Sequence, residues 1–190
     1  MQGSVAMKIS RIDIYKFNIR LTQPTVVPIG ILDAANNVVI RIGTDNGLNG
    51  WGEASPFAPI TGDTQASNFE NARLLATTIL GKDPLAVEAR TNEIGAETVG
   101  ETSLRSAFDM ALYDLLGQAA GLPLYALFGG ERRTLRTDFT IGMQDSVAQT
   151  LERVEECVGM GFDEVKLKVG RPGLADVEHV AAVRKLVGPD

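Results

Sequence analysis

Apart from Thr22–Asn36, the pattern of apolar and polar positions over the first 60 residues reads as antiparallel β-strands. This predicts a strand from Lys8 to about Leu21, rich in Ile, Tyr and Phe, a second over Asn37–Thr44 and a third over Leu48–Ala54. Asp45-Asn46-Gly47 separates the last two and is a strong hairpin signal, because Asn and Gly accept the positive φ of a tight turn. Thr22 to Asn36, with Pro24, Pro28 and Gly30, shows no period. Its apolar content predicts a loop that packs on something, in the manner of a lid. A second proline-rich loop, Ser55–Gly62, follows the third strand.

From Asp63 onward the period becomes helical. A helix capped by Asp63 or Thr64 is predicted to run to Leu80, with Phe69, Ala72, Ala76 and Ile79 on one stripe and Gly81 beyond its end. Asp83-Pro84 predicts another start, with proline at the first helical position. A third helix covers Thr102 to Ala119, where Leu104, Ala107, Phe108, Ala111, Leu112 and Leu115 form an apolar face. Asp109 and Asp114 fall off that face and read as solvated or capping acids. After Gly129-Gly130 the pattern gives a strand at Arg136–Ile141, a helix at Ser146–Met160, a strand at Asp163–Val169 and a helix at Leu174–Val187. Two successive β-α units imply a parallel sheet. The expectation is an α+β domain over residues 1–130, then the beginning of an α/β domain over 131–190.

The 190 residues are 44% hydrophobic and 22% charged, enough apolar material for one large or two small cores. A net charge of -6 without any run of five basic residues points away from nucleic acid and anionic membranes, toward small molecules. No apolar run approaches the roughly 18 to 20 residues of a membrane span, and no apolar segment of the signal-peptide kind opens the chain. A cytoplasmic location is therefore expected, with Met1–Ala6 as a leader before the first strand. The single cysteine, Cys157, cannot form an internal disulfide and is expected in the core or at its boundary. His179, in the last helical segment, is expected to be exposed.

Candidate chemistry centres on Lys166 and Lys168 in the run Asp163-Glu164-Val165-Lys166-Leu167-Lys168-Val169-Gly170. A strand aims both lysines at one face and Val165, Leu167 and Val169 at the other. Ammonium groups two residues apart lie about 6.7 Å from each other and repel by roughly 2.5 kcal/mol at an effective dielectric of about 20. That repulsion favours the neutral amine of one of them, the form a general base needs. The same tripeptide also suits an exposed edge strand with two solvated lysines. Glu152, Glu155 and Glu156 lie on one helix and read as a solvated face.

These residues sit among others in a familiar order: Gly50-Trp51-Gly52-Glu53-Ala54-Ser55-Pro56, Ile60-Thr61-Gly62-Asp63-Thr64, Ala107-Phe108-Asp109-Met110-Ala111-Leu112-Tyr113-Asp114-Leu115, Gly121-Leu122-Pro123-Leu124, Leu127-Phe128-Gly129-Gly130, Thr137-Asp138-Phe139-Thr140 and Lys166-Leu167-Lys168-Val169-Gly170. The sequence thereby resembles the enolase superfamily, its muconate-lactonizing subgroup, and within that the dipeptide epimerases. The Ile-Thr-Gly-Asp-Thr loop and the Thr-Asp-Phe-Thr strand favour the epimerases over muconate cycloisomerases and o-succinylbenzoate synthases, the runner-up enzymes. The resemblance implies an α+β capping domain followed by the first β-α units of a TIM-like (β/α)7β barrel, with its site at the C-terminal ends of the strands. It implies Mg²⁺ as cofactor, a small-molecule substrate of dipeptide type and a homo-oligomer. Lys168 would be an acid/base at the substrate α-carbon, and Lys166 would assist it and help stabilise the enolate. Thr140, Ile60 and Thr25 would contact substrate, the last two from the loops that close over it. Relatives acting on Ala-Glu type dipeptides tend to carry a basic residue in the first loop. Thr22–Asn36 has neither Lys nor Arg, so a less acidic, apolar dipeptide is expected.

The family's three acidic Mg²⁺ ligands come from the third, fourth and fifth barrel strands. The pattern here predicts only two strands, so the ligands and the partner lysine are expected beyond Asp190, on roughly 180 further residues at about 30 per β-α unit. The chain by itself is then expected to be inactive. The non-enzyme alternative is a truncated protein with a binding or assembly role.

Overall fold

A computed structural model describes residues 7–27 and 30–189. The leader expected over residues 1–6, and Pro28 in the predicted first loop, fall outside the described residues. The chain divides into two compact units, the first reaching Ile19 and resuming over Ala35–Arg132, the second formed by Arg20–Ala34 and the residues from Arg133 on.

The first unit is α+β. Strands β1 (Ile9–Val27), β2 (Gly30–Thr44) and β3 (Asn49–Ala54) form a sheet in that order, although Arg20–Val27 of β1 and Gly30–Ala34 of β2 are counted with the second unit. β2 and β3 are antiparallel, with Val38 opposite Ala54 and Gly43 opposite Asn49. The turn between them is the one signalled by Asn-Gly: Gly47 has φ 90°, and its N–H donates to the Thr44 carbonyl at 3.1 Å. The predicted lid-like loop over Thr22–Asn36 is corrected, because β1 runs on to Val27 and β2 already starts at Gly30. Pairing gives these backbone groups partners that an apolar loop would lack. Pro24 is tolerated because β1 is an edge strand.

Helices α1 (Ala58–Thr61), α2 (Gln65–Ile79), α3 (Val87–Glu97), α4 (Thr102–Ala120) and α5 (Leu124–Leu127) follow. α1 is a single turn inside the predicted second loop. Thr64, not Asp63, caps α2: its Oγ1 accepts the Ser67 N–H at 3.1 Å while its own N–H donates to Ser67 Oγ at 3.0 Å. The helix start expected at Asp83-Pro84 is also corrected. Asp83 Oδ1 accepts the Leu85 N–H at 2.9 Å, a local turn that competes with helix, and α3 begins only at Val87.

All six residues of the apolar stripe on α4 are buried, alongside Ile9, Val38, Ile40, Ile42, Leu75 and Ile79. β3 lies directly on this helix. A Cβ on Gly50 would stand 2.7 Å from Leu115 Cγ and collide with the Ala111 carbonyl oxygen, and one on Gly52 would collide with the Ala107 carbonyl oxygen. The Gly-Trp-Gly motif is thus a contact device, two side-chain-free positions on the strand face that meets the helix backbone. Asp114 is not the solvated acid expected from its position: its Oδ2 accepts the Trp51 N–H at 2.9 Å, between the two glycines. Asp109 is half-buried, and burial pushes its carboxyl above the usual range.

The second unit carries β4 (Phe139–Ile141), α6 (Val147–Gly159), β5 (Val165–Leu167) and α7 (Ala175–Val187). β4 and β5 pair in parallel, as the β-α alternation requires. Both strands are shorter than predicted. Ladder bonds from Phe139 N–H to the Glu164 carbonyl (3.0 Å) and from Lys168 N–H to the Ile141 carbonyl (2.9 Å) mark the two ends of the pairing. Phe139, Ile141, Val165 and Leu167 pack with Val154 and Cys157 of α6 and Val183 of α7. Cys157 is a core residue as expected, and burial raises its thiol. His179 is not exposed as expected but 8% accessible, its Nδ1 lying 2.7 Å from Thr150 Oγ1 of α6, which supplies the partner that lets it be buried.

Replacing Gly52 by Ala forces β3 away from α4 and is expected to destabilise the chain by about 2 kcal/mol or more. The midpoint of urea unfolding measures it, and an unchanged midpoint would show that the strand–helix contact tolerates a methyl group.

Candidate active site

The alternation of β4 and β5 sorts their side chains to two faces. Phe139, Ile141, Val165 and Leu167 take the helix side, which leaves Thr140 and Lys166 on the other. These two are direct partners across the parallel ladder. Lys166 is exposed, its Nζ 3.7 Å from Asp138 Oδ2, with side chains 53% and 37% accessible. An ion pair so open to solvent is worth little and leaves the ammonium free to turn to a ligand. Lys168 follows just past the end of β5, half-buried, with its N–H held by the Ile141 carbonyl.

Thr25 reaches the same region from the end of β1. The Met143 N–H donates to the Val26 carbonyl at 3.0 Å. A Cβ on Gly142 would stand 3.1 Å from Thr25 Cγ2, so the strand end approaches where the β4–α6 connection has no side chain. Thr25 and Thr140 line one cleft together with Pro24, Gln144 and Met160. Lys168 lines a neighbouring small pocket with Gln144, Arg171, Asp176 and His179. Of the residues singled out from sequence, Lys166, Lys168, Thr140 and Thr25 therefore fall within the second unit.

Ile60 belongs to the first unit, on α1, and is 72% exposed. The loop that presents it is anchored. Thr61 Oγ1 accepts the Phe57 N–H at 3.0 Å, and Gly62 closes the turn with φ 81°. Asp63 is only 3% accessible and accepts at Oδ2 from Ser103 Oγ (2.5 Å) and the Ser103 N–H (3.2 Å), which makes it the cap of α4. Asn68, fully buried, lies between Asp63 and Glu101; with its amide nitrogen toward the acids it donates at 3.1 and 2.5 Å to the two carboxylates. Burial acts to raise the Asp63 carboxyl, but the hydrogen bonds, those from Ser103 foremost, outweigh it and hold the group below its ordinary value.

The tie from Asp63 to α4, and the pairing of Arg171 with Asp176 beside Lys168, are contacts that sequence reasoning missed. An acid capping a helix some 40 residues away has no local signature, and neither does one folding back six residues onto a loop. Among the described residues no group of three or more His, Cys, Asp or Glu side chains is placed to hold a metal ion, so these donors by themselves do not make a Mg²⁺ site. Among the same residues no helix is long and apolar enough to cross a membrane.

Residues 11–129 match the family model described as Mandelate racemase / muconate lactonizing enzyme, N-terminal domain. The chain belongs to this family. It is 36% identical to the D-Ala-D/L-Ala epimerase of Cytophaga hutchinsonii, an alignment covering 96% of this chain and 50% of the relative. To the L-Ala-D/L-Glu epimerase of Bacillus subtilis it is 38% identical, over 96% of this chain and 50% of that protein. Among solved structures, the dipeptide epimerase of Enterococcus faecalis V583, complexed with Mg and the dipeptide L-Leu-L-Tyr, superposes with a TM-score of 0.90 at 34% identity, covering 95% of this chain and 51% of that one. The chain thus spans about half the length of the curated relatives it matches. Its α+β unit is the capping domain of this family, and its two β-α units are the first of the barrel.

Because the Asp63 carboxyl is held below its unfolded value, its contribution to stability is present above the unfolded value and is lost as pH falls through the folded one. Asp63→Ala is expected to destabilise the 190-residue chain by about 1–2 kcal/mol near neutral pH, with the difference from wild type shrinking from about pH 5 downward. Urea unfolding at several pH values checks this, and a difference independent of pH would remove Asp63 as the charged cap.

Proposed function

We propose that the complete protein is an isomerase of the racemase and epimerase kind, transferring a proton at the α-carbon of a dipeptide. The observation that carries this reading is the pairing of Thr140 with Lys166 on the face of β4 and β5 turned away from the helices, with Lys168 just past the C-terminal end of β5, in a chain whose relatives are epimerases. The neutral amine of Lys168 takes the α-proton, and the electron pair left behind passes into the adjacent carboxyl group as an enolate. Lys166, next but one along the chain, offers its own charge to the enolate oxygen. A second acid on the opposite face, outside residues 1–190, returns a proton and inverts the centre. Thr140 and Thr25 line the wall of the pocket, and Ile60 contacts the substrate from its exposed turn.

We propose Mg²⁺ as cofactor of the complete enzyme, held by carboxylates outside residues 1–190, where it would neutralise substrate carboxylate charge. The 190-residue chain by itself would then lack turnover. For the substrate we propose an apolar dipeptide. Support comes from the absence of Lys and Arg from Thr22–Asn36, whose first residues, Thr22 to Thr25, line a cleft with Thr140, and from the Leu-Tyr dipeptide in the related epimerase.

The complete protein with Mg²⁺ is expected to exchange the α-proton of an apolar dipeptide for deuterium, followed by NMR in D2O. Lys168→Ala is expected to slow this by about 10²–10⁴-fold. Turnover of Ala-Glu equal to that of an apolar dipeptide would sink the substrate reading, and full exchange in Lys168→Ala would sink the catalytic one.

A further inference from the structure

Lys168 lies just outside the regular strand, where the chain end would ordinarily be loose. On its N-terminal side the backbone is held by its own N–H, donated to the Ile141 carbonyl at 2.9 Å. On its C-terminal side the chain bends at Gly170, whose φ of 149° few L side chains adopt. The bend is held by one carboxylate. Asp176, in the first turn of α7, reaches back so that its Oδ2 accepts the Gly170 N–H at 2.6 Å and the Arg171 N–H at 2.8 Å. Its Oδ1 accepts from Arg171 Nη1 at 2.7 Å. The other arm of the guanidinium, Nη2, donates to the Gln144 carbonyl in the β4–α6 connection. Both side chains are mostly withdrawn from solvent, 20% and 18% accessible.

We propose that Asp176 and Arg171 are positioning residues that fix where Lys168 presents its amine, an inference that rests on the reading of Lys168 as the base. The argument is one of connectivity. Removing freedom on both sides of Lys168 leaves only its own side-chain torsions to settle. The guanidinium then ties the β5–α7 loop to the connection that follows Thr140, so the two strand ends carrying the lysine and the pocket threonine keep a constant spacing. Lysine could not replace Arg171 here, because an ammonium on a flexible stem lacks the fork that reaches a carboxylate and a carbonyl together. The Gly170 N–H above all, with Arg171, holds the Asp176 carboxyl below its usual range, so the clamp is ionised at neutral pH.

The test uses the complete enzyme with Asp176→Asn, Arg171→Lys and Lys168→Ala, together with amide hydrogen exchange on the 190-residue chain. Both clamp variants are expected to lower kcat, Asp176→Asn by about 10²-fold, the loss that follows a misplacement of about 1 Å, with KM changed less than about threefold. Slow exchange at the Gly170 and Arg171 amides is expected to become fast in Asp176→Asn, while the Val154 and Cys157 amides stay protected. If Asp176→Asn does not fold, Arg171→Lys carries the kinetic test. Wild-type kcat in the clamp variants, with activity lost in Lys168→Ala, overturns the inference. Full activity in Lys168→Ala instead overturns the catalytic reading, and the inference with it.

Discussion

The parallel pairing of Phe139–Ile141 with Val165–Leu167 is the contact on which the arrangement of the second unit depends. It is only three residues long on each side, yet it sets which side chains meet. Because the two strands run in one direction, Thr140 stands opposite Lys166 and both strands end at the same edge. Helices α6 and α7 cover the face of Phe139, Ile141, Val165 and Leu167, so the polar positions have one place left to go. A slip of one residue would exchange the faces, putting Lys166 against Cys157 and Val183 and an apolar residue where the chemistry is proposed. The burial of those four apolar side chains, about 1.5–3 kcal/mol for each that is fully covered, opposes that slip.

The first unit is organised by a different constraint, the absence of side chains. Gly50 and Gly52 let β3 approach the backbone of α4 closely, and Asp114 takes up the Trp51 N–H between them. The motif that marks the family here is thus a packing feature. The exposed turn carrying Ile60 owes its fixed place to a similar tie, the charged cap that Asp63 forms on α4. Both devices place rigid backbone under groups that face outward. A loop that must contact a small molecule gains from such support, since every degree of freedom left in it is lost again on binding.

Lys166 shows how much of a site is made by its surroundings. In a closed parallel barrel its ammonium would stand in a lined cavity, whereas here it is 53% accessible and leans on Asp138. The chain spans about half of its relatives, and the described residues contain no three-carboxylate group. The residues present supply local geometry alone: a lysine on an exposed strand face, two threonines along one cleft, an isoleucine on an exposed turn.

The sequence by itself determined the helical stripe of α4, the Asn-Gly hairpin, the two β-α units and the opposition of Lys166 to Val165 and Leu167. Each of these is written in neighbours within a few positions, through the periods of 2 and 3.6 residues and through turn residues with special φ. Tertiary structure decided the rest. Thr22–Val27 and Gly30–Asn36 became strand because β1 and β2 offer each other partners that no local pattern announces. Asp83 made a turn instead of a helix start, its side chain holding the Leu85 N–H. His179 went inside because Thr150, 29 positions earlier, meets its ring. Asp63 and Asp176 acquired their roles from donors on other turns and loops. A polar side chain is committed by the partner it finds, and when that partner comes from another element, only the folded chain supplies it.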